Sequence, residues 1–158
     1  MSDPTSPADP AALDAYLSRL VASDLVRPIG RVGDATYEFK HALVRDAAYE
    51  SLLRSRRRSL HERIGRALET TTAASIEHEP DVLAYHFSLA GLAREASVYA
   101  ERAGDRAASH STYAEASANY RTAIEENARL SPGADRDARE LALLLKLGPV
   151  VAILFGPN

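Results

Sequence analysis

The chain has 158 residues, which is enough for one domain or two small ones. Its formal charge at pH 7 is −3, so no overall attraction to nucleic acid is expected. The composition includes 29 alanines, no tryptophan and 6 % aromatic residues, which favours a helical body packed by small side chains. Cysteine is absent, which excludes disulfides, thiolate metal sites and cysteine nucleophiles.

The sequence also argues against export and membrane insertion. It contains no continuous apolar run of about 18 residues, so neither a transmembrane helix nor a membrane partner is expected. The segment Met1–Pro10 is polar and rich in proline, and it lacks the apolar core of a secretory signal. These features predict a cytoplasmic protein.

The N-terminal part predicts a linker and one helix. Residues 1–9 are rich in Asp, Ser and Pro, which is typical of a disordered linker. Asp9 and Pro10 then provide an N-cap and a first-turn proline for an amphipathic helix over residues 10–23.

A short β-hairpin is predicted next, around a turn at Gly33 and Asp34. Tyr37 and Phe39 fall on one face at a period of two residues, and Pro28 suits an exposed strand edge. No other segment of the sequence predicts a strand, so the fold class is mainly α with one hairpin.

From residue 41 onward the hydrophobic pattern predicts helices. A helix over residues 41–53 is expected to be anchored by Leu43, Ala47 and Leu52. The next helix carries an apolar face at positions 60, 64, 67 and 68. Residues 70–75 interrupt the pattern and predict a loop.

The C-terminal half predicts helices of similar length joined by short turns. They run from Pro80 to Gly91, over 93–110, from a Thr112–Glu115 capping box to 129, and from about 136 to an interruption at Gly148–Pro149. Small residues recur in them, and Gly104 inside a helix costs about 1 kcal/mol relative to alanine unless a neighbouring helix packs on it.

These helices are predicted to form an antiparallel array of tetratricopeptide-like hairpins, with an isolated bundle as the alternative. The interfaces are expected to be lined by small residues, Ala96, Ala103, Gly104, Ala116 and Ala123. The strongly apolar segment from Leu141 to Phe155 is expected to be exposed, which suggests a piece of a longer protein.

A family resemblance is carried chiefly by residues 39–65, FKHALVRDAAYESLLRSRRRSLHERIG. It continues in EPDVLAYHF, AGLA and YAERAG and covers roughly residues 11–155. The pattern resembles STAND-type or AAA-like NTPases of bacterial signalling, which are fused to class III adenylate/guanylate cyclases, and the related LuxR-type activators.

In such proteins an NTPase module precedes a winged-helix domain, and tetratricopeptide-like repeats follow it. The resemblance implies a disordered linker over 1–9, a partial winged helix over 10–72 and truncated repeats over 79–158. The phosphate-binding motif GxxxxGK[ST] is absent from the sequence, so ATP or ADP binding is implied for a parent protein only and no cofactor for this chain. The implied partners are a missing N-terminal NTPase module and further helical repeats or another protein on the repeat surface.

His41 is the residue to which the resemblance assigns a role. In STAND proteins a histidine at this kind of winged-helix position contacts the β-phosphate of bound ADP and holds the closed state. An imidazole beside the free N–H groups of a helix start suits an anion. The alternative is a histidine that caps its own helix or packs against Tyr37.

The sharpest concentration of charge is the arginine cluster, which we define as Arg54, Arg56, Arg57 and Arg58. Arg54 and Arg56 are placed near the end of helix 41–53, where cations suit the negative pole. Arg57 and Arg58 fall in the first turn of the next helix, where an acidic domain face, a nucleotide or DNA phosphate is expected to compensate them. An ordinary solvated face is the alternative to an interdomain contact.

No catalytic or metal-binding constellation is predicted. The His–Glu pairs that begin at His61 and His78 do not continue into HExxH, and no GxSxG motif exists. His86 and His110 are interpreted as partly buried packing residues. The sequence therefore predicts a regulatory, protein-interaction segment of a signalling ATPase rather than an enzyme.

The alternative function is a DNA-binding winged helix that uses helix 10–23 and the arginine cluster. That helix region carries Asp14 and Asp24 with only Arg19, which is too few cations for phosphate contacts. Nucleic acid is therefore not the expected partner.

Overall fold

The structure is a computed structural model, and it describes residues 10–29, 36–71 and 79–156. The helices of this part are α1 (Pro10–Ala22), α2 (Ala42–Glu50), α3 (Arg54–Thr71), α4 (Pro80–Ala90), α5 (Ala93–Ser109), α6 (Tyr113–Ala128) and α7 (Ala134–Phe155). The strands are β1 (Val26–Ile29) and β2 (Thr36–Phe39). The predicted linker over 1–9, the turn at Gly33 and Asp34, and most of the loop predicted over 70–75 lie outside the described residues.

The predicted fold class is confirmed: the chain is mainly helical, with one two-stranded antiparallel sheet followed by an array of helical hairpins. The chain divides into two compact units between Leu53 and Arg54. Unit 1 contains α1, the hairpin and α2, and unit 2 contains α3 to α7.

In unit 1 the two strands pair antiparallel, with Val26 opposite Phe39 and Pro28 opposite Tyr37. Arg27 and Glu38 face each other across the strands and form an ion pair of 2.7 Å. Such a pair between exposed side chains contributes little to stability, about 0.2–1 kcal/mol. The hairpin is thus held mainly by its backbone ladder.

Helix α2 differs from the prediction. Leu43 is 83 % exposed, Ala47 is exposed and Leu52 is half-buried, and no residue of α2 is fully buried. The expected anchoring of this helix through Leu43, Ala47 and Leu52 is therefore wrong. The physical reason is that α2 packs mainly against β2 within unit 1, and this contact leaves Leu43 and Ala47 uncovered.

Unit 2 is an array in which each helix packs against the one before it, from α3 through α7. Gly91 ends α4 with φ 77°, a left-handed conformation that glycine adopts without strain. The first hydrophobic cluster contains Leu83, Ala84, Phe87, Ala96, Tyr99, Ala100, Ala123 and Leu143. The second contains Ala107, Ala116, Tyr120 and Val150.

Helix α3 belongs to unit 2, whereas the sequence grouped it with the hairpin in a region over 10–72. Its side facing α4 is formed by His61 and Gly65, both buried, rather than by the predicted apolar face. A Cβ on Gly65 would lie 2.8 Å from the Phe87 ring, so glycine lets that ring approach the helix backbone. The residues of the predicted face, Leu60, Ile64, Ala67 and Leu68, are half-buried or exposed.

Two local predictions for the array are also wrong. Thr112 makes no capping bond at the start of α6; its hydroxyl donates instead to the Ala107 carbonyl at 2.9 Å. Helix α7 is not interrupted at Gly148 and Pro149 but runs through them to Phe155. A helix can include proline where neighbouring packing offsets the lost hydrogen bond, and Val150 beside it is buried in the second cluster.

None of the described helices is long and apolar enough to cross a membrane.

The small residues predicted to line the interfaces are all buried: Ala96, Ala103, Gly104, Ala116 and Ala123. The tightest of these contacts joins α5 and α6 at Gly104. A Cβ on Gly104 would lie 2.6 Å from Cδ1 and Cε1 of Tyr120. The Tyr120 side chain is held in place, because it is 3 % exposed and its hydroxyl donates to Asp105 at 2.8 Å.

We expect Gly104→Ala to lower the free energy of unfolding by roughly 1–3 kcal/mol, because the added methyl group overpacks the contact with Tyr120. Helix propensity alone would raise stability by about 1 kcal/mol, so the two effects have opposite signs. Urea denaturation followed by far-ultraviolet circular dichroism measures the difference.

The matched control is Gly148→Ala, since a Cβ at Gly148 in α7 meets no atom within 4 Å. This substitution should be neutral or should stabilise by up to about 1 kcal/mol. If Gly104→Ala and Gly148→Ala change the free energy of unfolding equally, the close contact between α5 and α6 at Gly104 is contradicted.

Candidate functional site

His41 is exposed and occupies the N-cap position of α2. Its backbone is extended, with φ −128° and ψ 122°, and its side chain makes no capping bond. The alternative that His41 caps its own helix is therefore wrong. The imidazole is accessible at the start of a helix, where free N–H groups favour an anion.

An ion pair lies beside His41 in the sequence. The Lys40 ammonium donates to the Asp24 carboxylate in an ion pair. The hydrogen bond and charge of Lys40, with a smaller contribution from His41, hold the pKa of Asp24 below its usual range. This carboxylate therefore stays ionised at neutral pH and balances the charge of Lys40.

The arginine cluster lies at the start of α3, which begins at Arg54. Helix α2 ends at Glu50 with Ser51 as its C-cap, so the expected placement of Arg54 and Arg56 near the end of that helix is wrong. All four arginines therefore lie at the positive end of one helix, where cations are unfavourable. His41 belongs to unit 1 and the arginine cluster to unit 2.

The four arginines differ in their contacts. Arg58 Nε donates to the Ala90 carbonyl at 3.0 Å, so Arg58 is compensated by the negative end of α4 rather than by an acid. Arg57 is half-buried and has an interaction partner. Arg54 and Arg56 are exposed and make no hydrogen bond or ion pair within the described residues. These two are the cluster members available to a partner.

A pair of histidines that the sequence did not predict lies between α3 and α4. His61 Nδ1 and His86 Nδ1 are 2.9 Å apart, and Tyr85 packs edge-on against both rings. His61 is 8 % exposed and His86 is half-buried, so the interpretation of His86 as a packing residue is confirmed. His110 is exposed, so the same interpretation is wrong for it.

The histidine pair is sensitive to protonation. Burial lowers the pKa of His61, and burial together with the charge of His61 lowers the pKa of His86. A hydrogen bond between two Nδ1 atoms needs one donor and one acceptor, and two imidazolium rings would both be donors. A separation of 25 residues along the chain hides this pair from any motif search.

Charged side chains tie α5 to α7 at the edge of the array. Lys146 donates to Asp105 at 2.8 Å and pairs with Glu101 at 2.7 Å, while Arg139 pairs with Glu101 at 2.9 Å. Burial opposes the charge of Lys146, but its hydrogen bonds to both carboxylates outweigh burial and raise its pKa. Burial and the Asp105 hydrogen bond raise the pKa of Tyr120, which stays protonated as a donor. These groups therefore act as structural ties.

Helix α7 is buried on one side only. Leu143 and Val150 are 0 % and 5 % exposed within the array. We define the α7 apolar face as the large apolar residues of the other side, whose exposed fractions are 48–76 %: Leu141, Leu144, Leu145, Ile153 and Phe155. The predicted exposure of this segment is confirmed for these residues. Large apolar residues exposed along one helix are typical of a protein-interaction site.

Within the described residues, no group of three or more His, Asp or Glu side chains is placed to hold a metal ion. The histidine pair and the charged ties lie in unit 2, whereas His41 belongs to unit 1. The candidate functional surfaces are thus the α7 apolar face in unit 2 and the exposed helix start at His41 in unit 1.

The chain is similar to part of a much longer curated protein. A curated relative, an uncharacterized protein of Rhizobium meliloti (strain 1021), is 29 % identical over 119 residues. The match covers 75 % of this chain and 12 % of the relative, so the chain spans a small part of that protein's length. No family model and no solved structure matches the chain.

We expect unit 2 to lose stability as the pH falls from 7.5 to 5. The folded-state pKa values of His61 and His86 lie below the ordinary value of about 6.5, so the unfolded chain binds more protons in this range. The stability that the neutral histidine pair contributes is present above a pH of about 6.5 and is lost as the pH falls below that value. Urea midpoints across this pH range measure the loss.

The variant His86→Gln removes one titrating partner and should flatten this dependence. His110→Gln is the matched control, because His110 is exposed and lies outside the pair. The explanation fails if the His86→Gln variant and the unmodified chain lose the same stability between pH 7.5 and pH 5.

Proposed function

We propose that the chain is a non-catalytic regulatory and protein-interaction segment of a bacterial signalling ATPase in the cytoplasm. The parent protein would be a nucleotide cyclase or a transcriptional regulator that binds ATP or ADP through a separate module. In this proposal, unit 1 responds to the nucleotide state and unit 2 binds the next helical repeat or a protein partner.

The single observation that carries the proposal is the α7 apolar face on an array of helical hairpins. In an array, each helix contacts only its neighbours, so a new helix can pack on the last one by repeating the same contacts. The described array repeats small residues at buried positions and leaves large apolar residues uncovered on α7. The α7 apolar face therefore favours the binding of another helix over catalysis on a substrate.

The nucleotide part of the proposal is supported by the geometry of His41 and by the family resemblance of residues 39–65. His41 is exposed at a helix start, where its imidazole and the free backbone N–H groups can donate to an anion. The partial match to a much longer relative agrees with a segment that works as part of a larger protein.

A second function, DNA binding by a winged helix, is favoured by one observation. The four residues of the arginine cluster lie within the first turns of α3, and Arg54 and Arg56 lack partners in the described part of the chain. Phosphate contacts would make binding to duplex DNA fall steeply with salt. Titration of the chain with duplex DNA at two salt concentrations tests this function, and no salt-dependent binding is expected from the main proposal.

We expect the isolated chain to self-associate as its concentration rises, because the α7 apolar face has no covering helix in the described structure. Leu145→Gln should weaken this association, since Leu145 is 69 % exposed in the middle of α7. Analytical ultracentrifugation over roughly a hundredfold range of protein concentration measures this association.

Leu43→Gln is the control for loss of an exposed leucine, because Leu43 is 83 % exposed on α2. This variant should associate like the unmodified chain. A chain that stays monomeric at every concentration, or equal effects of the two variants, would contradict an interaction role for the α7 apolar face.

His41→Ala should change the free energy of unfolding of this chain by less than about 0.5 kcal/mol, because the side chain is exposed and makes no capping bond. In a full-length parent protein the same substitution should weaken retention of ADP and raise basal signalling. Radiolabelled ADP dissociation measures the first effect. If His41→Ala unfolds the chain while ADP retention by the parent is unchanged, His41 is structural and the nucleotide role is wrong.

A further inference from the structure

Glycines inside the helices of unit 2 mark a contact that the array repeats. Among the described residues, three glycines lie within helices: Gly65 in α3, Gly104 in α5 and Gly148 in α7. Each lies in the second half of its helix, and each of these helices alternates with a helix that has no glycine.

The first two glycines are each covered by an aromatic ring of the following helix. A Cβ on Gly65 would lie 2.8 Å from Cε1 of Phe87 in α4, and a Cβ on Gly104 would lie 2.6 Å from the ring of Tyr120 in α6. Both rings are buried, with exposed fractions of 0 % and 3 %. A ring lies this close to a helix backbone only where no side chain intervenes, so we define this arrangement as the ring-on-glycine contact.

Gly148 is the one of these three glycines that is open. A Cβ on Gly148 would meet no atom within 4 Å, and the residue is exposed. Within the described part of the chain, the third glycine therefore lacks the ring that covers the other two.

Gly148 lies in the middle of the α7 apolar face. Leu141 and Leu144 precede it by seven and four residues, and Phe155 follows it by seven, spacings that place all of them on one side of the helix. The buried Leu143 lies on the opposite side. Large apolar side chains therefore lie on both sides of a bare stretch of backbone, and a ring that enters there is flanked by apolar surface.

The two existing contacts indicate which kind of helix brings the ring. In α4 and in α6, a buried apolar residue lies four positions before the ring and a buried alanine lies three positions after it. These residues are Leu83, Phe87 and Ala90 in α4, and Ala116, Tyr120 and Ala123 in α6. Because α7 already packs on α6 with its opposite side, a helix placed on Gly148 continues the alternation of glycine-bearing and ring-bearing helices.

We propose that the α7 apolar face binds a partner helix that places an aromatic ring on Gly148. The partner helix carries an apolar residue four positions before the ring and an alanine three positions after it. This inference rests on the interaction role proposed for the α7 apolar face, and it adds which helix the face selects. Selection comes from the ring, because an aromatic side chain buries far more apolar area against a bare backbone than alanine does.

Fluorescence anisotropy of labelled helical peptides with the full chain tests the inference. The probe is a lactam-bridged peptide of about 16 residues, because shorter isolated helices are marginal in water. It carries leucine, tyrosine and alanine at the spacing found around Phe87, and a second peptide has alanine in place of the tyrosine. The tyrosine peptide should bind at least about tenfold more tightly than the alanine peptide. Equal affinities of the two peptides would overturn the inference.

The site of the ring is tested by Gly148→Ala. The added methyl group occupies the place of the ring, so the affinity for the tyrosine peptide should fall by about tenfold or more. The affinity for the alanine peptide should fall by less than about threefold. An effect of the substitution on α7 itself, next to Pro149, is common to both complexes and cancels in this comparison.

Gly133→Ala is the matched control, because it adds the same methyl group at the N-cap of α7, where a Cβ meets no atom within 4 Å. This variant should bind both peptides like the unmodified chain. An equal loss of affinity for the two peptides in Gly148→Ala, or no loss for the tyrosine peptide, would overturn the ring-on-glycine contact at Gly148.

Leu145→Gln separates failure of this inference from failure of the proposed function. If Leu145→Gln weakens both peptides while Gly148→Ala has no selective effect, the α7 apolar face binds helices without a ring on Gly148, and only the inference is wrong. If neither peptide binds and the chain self-associates through Leu145, the occupant is a second copy, and again only the inference is wrong. If neither peptide binds and the chain stays monomeric, the inference and the interaction role are both wrong.

Discussion

The ring of Tyr120 lies directly against the α5 backbone at Gly104, and the rest of unit 2 depends on how closely these two helices approach. Alanine lines the neighbouring positions, so the backbones stay close along the whole interface. The Phe87 ring makes a similar approach to α3 at Gly65. Two aromatic rings against two glycines therefore set the spacing within two helix pairs, α3 with α4 and α5 with α6, and larger side chains at these positions would separate them.

Close packing by small residues has a consequence for the surface. Because each alanine buries little apolar area, an array of alanine-rich helices gains little stabilisation per residue from the hydrophobic effect. Polar contacts at the edges of the array add to this stabilisation. Tyr120 with Asp105, Lys146 with Glu101, and the buried Glu126 with Ser88 and Arg129 provide these ties. The residues of the α7 apolar face lie outside this packing, which leaves them available as an interaction surface.

The proposed functions use binding rather than bond chemistry. In these proposals the α7 apolar face suits a helix, and the helix start at His41 suits a nucleotide phosphate. The second rests on the free N–H groups at the start of a helix.

Periodicity and turn residues were enough to predict the mainly helical fold, the hairpin before the array, and the burial of Ala96, Gly104 and Ala123, because these depend on spacing along the chain. Which side of α3 packs could not be predicted, since a buried histidine and glycine face α4 while the apolar stripe stays partly exposed. The pairing of His61 with His86 depends on contacts between separate helices. Only the tertiary structure decides such contacts, because a side chain's partner across an interface is set by the packing geometry and leaves no periodic signal in the sequence.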